Sequence, residues 1–384
     1  MMTLRERILA VYRGERPDVV PFMLDVSHWF YHRHRLPWDI SVAYEKPEYD
    51  LIDYHNRNKI GFFVGQLGSF FSTIYPRDVR VTTQKETVGG STAIVWRVET
   101  PSGCIERRRF WNETTYSWQI ERWGIEDEFG LRVLREAMSR RRFEANNWKK
   151  FRAWTDYVGD DGVIYLHLGY SGMGYLLNQW MGIEGVSYAT VDFPDALQET
   201  IEAVNTNLLE LIDLCCTSPA EIVFIGDNFS GDVQPPAFFN RWTRKYYIEA
   251  VRRLHAAGKY VAVHIDGQLR GALQMIRDVG ADCADSVTPR PMGDLSLAQC
   301  CEEAGPNFIL SGGVAPNLWL PEVPVETFRT AVLDWLALKN SQCRFIASAG
   351  DQVPPGADES RIGLMRDMVE EFGRYDRNPT AGKR

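Results

Sequence analysis

YVAVHIDG, residues 260–267, is the stretch on which the fold turns. Mostly apolar residues lead into His264-Ile265-Asp266 and then a glycine. That pattern reads as a buried strand whose polar residues gather at its C-terminal end. His264 and Asp266 are two apart, so on a strand both side chains leave the same face. A histidine and a carboxylate at the mouth of a buried strand are costly unless they pair, bind a ligand or line a cavity.

Outward from this stretch the arrangement recurs: an apolar run, a polar cluster, a turn. Candidate strands occupy residues 21–29, 62–69, 163–172, 221–228, 260–267, 282–289, 307–314 and 344–351. Helical spacing of apolar residues covers 3–13, 126–151, 193–216, 238–257, 268–279, 295–304, 325–338 and 359–372. Thr3 and Glu6 are spaced as a capping box. Eight short strands mostly separated by helices predict an α/β protein, a (β/α)8 TIM barrel, with residues 1–384 as a single barrel domain. A doubly wound open sheet is the rival, but no G-x-G-x-x-G follows the first strand. P-loop and G-x-S-x-G motifs are also absent from the sequence.

Residues 79–123 behave differently. Polar and apolar residues alternate there, broken by Gly89-Gly90 and by Pro101-Ser102-Gly103. Such a pattern predicts antiparallel hairpins. It reads as a β-meander inserted after the second strand, without a core of its own.

Composition bounds the function. The chain has 384 residues, 45% hydrophobic and 24% charged, as in ordinary globular proteins. A net charge of −8 argues against a nucleic-acid or anionic-membrane surface. No run reaches the roughly 18 apolar residues a membrane span needs, and no secretory signal opens the chain. The expected location is the cytoplasm. Seven cysteines show no C-x-x-C and no paired spacing, which predicts buried reduced thiols.

In a barrel, chemistry sits at the C-terminal strand ends. In chain order those ends supply Asp25 with His28 and Trp29, Gln66, His167 with Tyr170, Asp227 with Asn228, His264 with Asp266, Asp285 with Thr288, Gly312-Gly313, and Asp351 with Gln352. Asp266 and Asp351, each beside a glycine, are the candidates least easily explained as structural. His167 reads as a core histidine and Asp285 as a cap for the following turn. His264, Asp266 and Asp351 are therefore the candidate catalytic residues. Asp25, His28, Trp29, Asp227, Asn228, Thr288, Gly312 and Gln352 are the candidate substrate-binding residues. His264, Asp266 and Asp351 could alternatively offer one nitrogen and two oxygens to a metal. Trp29, Trp38 and Trp180 are candidates to stack on a flat ring, with core or rim packing as the alternative.

The pieces GDNFSG (226–231), HAAGKYVAVHIDG (255–267), GADCADSVTPRPMGDL (280–295), Gly312-Gly313 with a downstream proline, and SAGDQVPPGADESRIGLM (348–365) resemble the uroporphyrinogen decarboxylase superfamily. The match is clearest over residues 221–372, with a weaker one at ERPDVVPFM (15–23). The resemblance implies a (β/α)8 barrel and one of two chemistries. One branch decarboxylates a tetrapyrrole without a cofactor, gripping its carboxylates with an M-R-Q-A-G-R-Y-like run. This chain has FMLDVSHWFYHRHR (22–35) there instead. The other branch transfers methyl groups between a corrinoid on a carrier protein and a small acceptor. Its zinc-dependent thiol methyltransferases carry H-x-C and a later G-C; here these are His264-Ile265-Asp266 and Gly350-Asp351. Aspartate for cysteine at both positions implies no tightly bound zinc.

The resemblance therefore implies a methyltransferase working with methylcobalamin on a partner protein. Its acceptor would be a small molecule such as tetrahydrofolate, or it would demethylate a small methylated compound; a carboxy-lyase is the alternative. Arg33, Arg35, Arg290 and Lys245 would serve a folate tail. No D-x-H-x-x-G cobalamin motif occurs, so the corrinoid would sit on a separate corrinoid-binding protein. A homodimer remains open from sequence.

Overall fold

The computed structural model describes residues 1–36, 46–61, 64–65, 70–146 and 148–375. Seven parallel strands form one sheet in the order Val64–Gly65, Tyr165–Gly169, Ile222–Phe229, Tyr260–Ile265, Cys283–Val287, Ile309–Val314 and Arg344–Ala349. Its two edges are joined by the segment around Phe22 and Met23. Phe22 bridges Ala347 and Met23 bridges Gly61, both in parallel. Met23 N–H donates to Ala347 O at 3.0 Å, Ala347 N–H to Pro21 O at 2.9 Å, and Gly61 N–H to Phe22 O at 3.3 Å. The eight-membered cycle that results is the TIM barrel expected from the strand count.

Alternation along Tyr260–Ile265 explains the two apolar layers. Val261, Val263 and Ile265 pack into the large core shared with the outer helices. Ala262 belongs to a separate cluster with Met23, Tyr165, Ile222, Phe224, Cys283, Ile309 and Ile346. These residues, on the opposite face of each strand, fill the barrel interior. Helix Leu4–Tyr12 begins at a capping box made by Thr3 and Glu6. It contributes Ile8, Val11 and Tyr12 to the same cluster. The Tyr12 hydroxyl lies 2.8 Å from that of Tyr165. This helix plugs the bottom of the barrel, so the barrel interior opens above, at the strand C-termini.

The predicted meander over 79–123 is a four-stranded antiparallel sheet, Arg80–Val88, Ser91–Thr100, Gly103–Asn112 and Ser117–Arg122. A second pair, Phe71–Ile74 with Arg142–Ala145, was not foreseen in the sequence. Arg142–Ala145 interrupts the helical region expected over 126–151, leaving helices Glu128–Arg140 and Lys149–Val158.

Two further features differ from the pattern expected of the sequence. The first strand is shorter than 21–29: at Ser27 the chain turns into a helix, Ser27–Arg33. Asp25 starts that turn by accepting from Ser27 N–H at 2.8 Å. His28 and Trp29 thus lie on a helix. The cysteines are not all free thiols, because Cys301 and Cys343 are joined with their Cα atoms 5.7 Å apart. Gln66 and Trp38 lie outside the described residues. Among the described residues, no helix is long and apolar enough to cross a membrane.

Candidate active site

A cavity of about 300 Å³ opens at the C-terminal strand ends. Asp25, His167, Asn228, His264, Asp266, Asp285, Ser348, Asp351 and Gln352 reach it from six strands or the turns that follow them. Tyr31, Tyr170 and Phe224 add aromatic surface.

His264 is its centre. Parallel register sets His264 directly beside Asp285 on the neighbouring strand. Asp285 Oδ2 stands 3.3 Å from His264 Nδ1, and Ser286 Oγ stands 3.0 Å from the same nitrogen. The other ring nitrogen, Nε2, faces Asp351 Oδ1 at 4.0 Å. Burial opposes charge on the ring, but Asp285, Asp351 and Asp266 outweigh it and push the His264 pKa up to about 9. Burial acts on Asp351 in the opposite sense to His264's attraction, and wins: the carboxyl rises to about 6. At pH 7 an imidazolium therefore faces a carboxylate that is close to its own titration.

His167 differs. It is enclosed against Phe224, ring centroids 5.3 Å apart, and burial plus the nearby His264 charge lower it to about 4. It is a neutral imidazole at the cavity floor. Gly226 makes this possible, because a Cβ there would overlap His167 Nε2.

Two residues of the rim have left-handed backbone without being glycine: Asn228 at φ 47° and Ser286 at φ 67°. Such conformations cost on the order of 1–3 kcal/mol each and tend to mark functional sites. Both residues line the cavity.

The structure brings together His264, Asp266, Asp351, Asp25, Asn228 and Gln352 at this cavity. Gln352 Nε2 donates to Asp25 Oδ2 at 2.8 Å, which ties the last strand's loop to the first's. Five expected binding residues face elsewhere. Asp227 points out of the barrel and is 1% exposed. It accepts from Ser171 N–H and Ser171 Oγ, both at 2.5 Å, and from the Tyr247 hydroxyl at 2.7 Å. Trp29 is buried and donates to Ala357 O at 3.1 Å. The His28 ring meets Tyr116 O at 2.9 Å, against the inserted sheet. Thr288 Oγ1 donates to Gly350 O at 2.6 Å and so braces the turn before Asp351. Gly312 belongs to strand packing: a Cβ there would collide with the Val287 backbone. Trp180 lies beneath the Arg107 guanidinium, 5.1 Å from its ring centre, and not at the cavity.

Sequence reading undervalued Asp285, Ser286, Ser348 and His167. The signal for Asp285 was present, since ADCADSV mirrors the parity of YVAVHID, but the neighbour it serves depends on sheet register. Among the described residues, no group of three histidine, cysteine or acidic side chains is arranged to hold a metal ion.

A fold comparison aligns the chain with a methyltransferase from Methanosarcina mazei at a TM-score of 0.62 and 14% identity, over 97% of this chain and 99% of that one. The muconate lactonizing enzyme from Pseudomonas putida aligns at only 0.26, with 13% identity over 77% of this chain and 78% of that one. The first likeness supports the barrel architecture; the second is too weak to carry an argument. No curated protein matches the sequence. The family model for uroporphyrinogen decarboxylase (URO-D) matches residues 173–372, just over half of the chain. That span supplies His264, Asp266, Asp285 and Asp351, and the chain belongs to the uroporphyrinogen decarboxylase family.

Proposed function

We propose that the protein is a methyltransferase. It would hold a small molecule in the strand-end cavity and exchange a methyl group with a corrinoid presented by a separate corrinoid-binding protein. The observation that carries this reading is the His264–Asp351 pair, an imidazolium and a carboxylate close to its own titration 4.0 Å apart at an open cavity. Moving a methyl group on or off a heteroatom changes that atom's basicity, and the pair can hold or return the proton involved. The corrinoid supplies the carbon–cobalt chemistry. The chain's own residues bind and orient the small molecule: Asp25, Asn228 and Asp266 on the walls, Tyr31 and Phe224 as apolar faces.

Of the two small-molecule classes, tetrahydrofolate or a small methylated compound, the cavity favours the second. About 300 Å³ is at the lower end of ligand pockets. The arginines suited to a folate tail are already engaged: Arg33 with Glu359 at 3.2 Å, Arg35 with Glu113 at 3.5 Å, and Arg290 with Asp294 O at 2.9 Å. Lys245 remains exposed on helix Arg244–Ala256. The decarboxylase alternative fits less well. A polycarboxylate would meet Asp25, Asp266, Asp285 and Asp351, with no lysine or arginine among the described lining residues.

No tightly bound zinc is expected, since aspartate stands at both positions where thiol-activating relatives carry cysteine. The test mixes the purified protein with methylcobalamin and either tetrahydrofolate or a small amine and follows the cobalt spectrum. Methyl loss requiring both protein and acceptor is the expected result. Decarboxylation of a porphyrinogen, without any change in the corrinoid, would favour the alternative.

A further inference from the structure

The cavity is short of positive charge. Asp25, Asp266, Asp285 and Asp351 line it, while the described lining residues contribute one imidazolium, His264, and no lysine or arginine. His55 and His167 cannot compensate, because burial lowers each to about 4. Glu48, on the far wall, has Lys150 at 3.5 Å and is balanced locally.

A second observation concerns the carboxylate oxygens. Asp285 is 3% exposed and lines the cavity, yet only its Oδ2 is engaged, by His264 and Ser286. Its Oδ1 accepts no hydrogen bond from any described residue. The Asp266 side chain likewise accepts none, although it reaches the same space. Carboxylate oxygens open to the cavity in this way are placed to accept from a bound donor or to face a cation. A bare metal ion does not fit: it needs oxygens converging to about 2–2.6 Å, and no described group is so arranged. Carboxylates spread around a wider space suit a larger, diffuse organic cation. Tyr31, Tyr170 and Phe224 supply the aromatic faces on which methylated ammonium groups are stabilised.

We infer that the cavity binds a small methylated ammonium ion. The inference rests on the methyl-transfer reading for the methyl groups; the cationic character comes from the lining. Neutral ethers and anionic thiols or acids would leave the carboxylates unbalanced.

Charge can be tested apart from shape. Choline and 3,3-dimethylbutan-1-ol have nearly the same size, and only the first carries a positive nitrogen. Calorimetry with the full chain should show choline binding at least about tenfold more tightly. Asp266→Asn, at an exposed side chain that can be changed without disturbing the core, should shrink that ratio several-fold. Equal affinity for the two probes, tighter binding of the neutral alcohol, no binding of choline, or an unchanged ratio in Asp266→Asn would each overturn the inference. Because no corrinoid enters the measurement, its failure is separable from failure of the methyl-transfer reading. Methyl transfer to a neutral acceptor would then survive with a different ligand class.

Discussion

His264 Nε2 stands 4.0 Å from Asp351 Oδ1 while Asp285 holds the opposite ring nitrogen at 3.3 Å. The ring is thus gripped from behind and presented forward. Its orientation is fixed by the neighbouring strand and by Ser286, whose left-handed backbone places its hydroxyl 3.0 Å from Nδ1. Asp351 comes from the far side of the barrel, where Thr288 braces the preceding Gly350 carbonyl. Three strands therefore determine one proton-holding pair.

If Asp285 sustains the imidazolium, Asp285→Asn should lower the His264 pKa from about 9 by roughly 1–3 units, the range for losing one close opposite charge. NMR titration of the ring Cε1–H reads this directly. A midpoint unchanged in the variant would assign the raised value to Asp351 and Asp266 alone.

Turnover should be highest between the two midpoints, rising as Asp351 ionises near pH 6 and falling as His264 loses its proton near pH 9. Asp351→Asn should abolish the acid limb and reduce kcat by roughly tenfold or more, with an unaltered melting temperature. Wild-type activity in this variant at every pH would remove Asp351 from the chemistry.

Stability should follow the same proton. An ordinary histidine titrates near 6.5 in the unfolded chain, and His264 in the folded state titrates at about 9. Its folded pKa is raised, so the contribution is full below about pH 6.5 and is lost as pH rises through about 9. The magnitude is on the order of 3 kcal/mol. The melting-temperature gap between wild type and His264→Gln should therefore narrow from pH 6.5 to pH 10. A gap that is constant or widens contradicts a charged His264.

Asp227 offers a contrast among the acidic residues. Its three donors are internal, and Gly174 lacks a Cβ where this carboxylate sits. Asp227→Asn would set an amide N–H₂ against one of those donors, costing roughly 1–3 kcal/mol. Reduced urea midpoint with kcat preserved in the surviving folded protein is the expected outcome. A selective loss of kcat without loss of stability would return Asp227 to the site.

The sequence disclosed the barrel through particular residues. Alternation in YVAVHID separates Val261, Val263 and Ile265, which face the helices, from Ala262 and His264, which face inward. The same parity argument found His264 and Asp266, whereas Asp351 stood out by its place beside Gly350 at a strand end. Carried along Ile222–Phe229, the same alternation sets Asp227 outward with Val223 and Ile225, and Asn228 inward with Ile222 and Phe224; Asp227 was misjudged because its place at a strand end was weighed without its parity. His28 and Trp29 were misplaced because the first strand gives way to a helix at Ser27, a change that the apolar run PFML does not announce. Asp285 was undervalued because its worth depends on lying beside His264, and pairing between strands is not written in either strand alone.

The central claim, methyl exchange between a cavity-bound molecule and a corrinoid, is tested most directly by following the label itself. Choline bearing deuterated N-methyl groups, reduced cobalamin and the purified protein would be incubated anaerobically, and methylcobalamin analysed by mass spectrometry. The account predicts deuterated methylcobalamin that forms with wild-type protein and falls at least about tenfold with His264→Gln. Unlabelled cobalamin with wild-type protein that demonstrably binds choline, or equal label with His264→Gln, would contradict it.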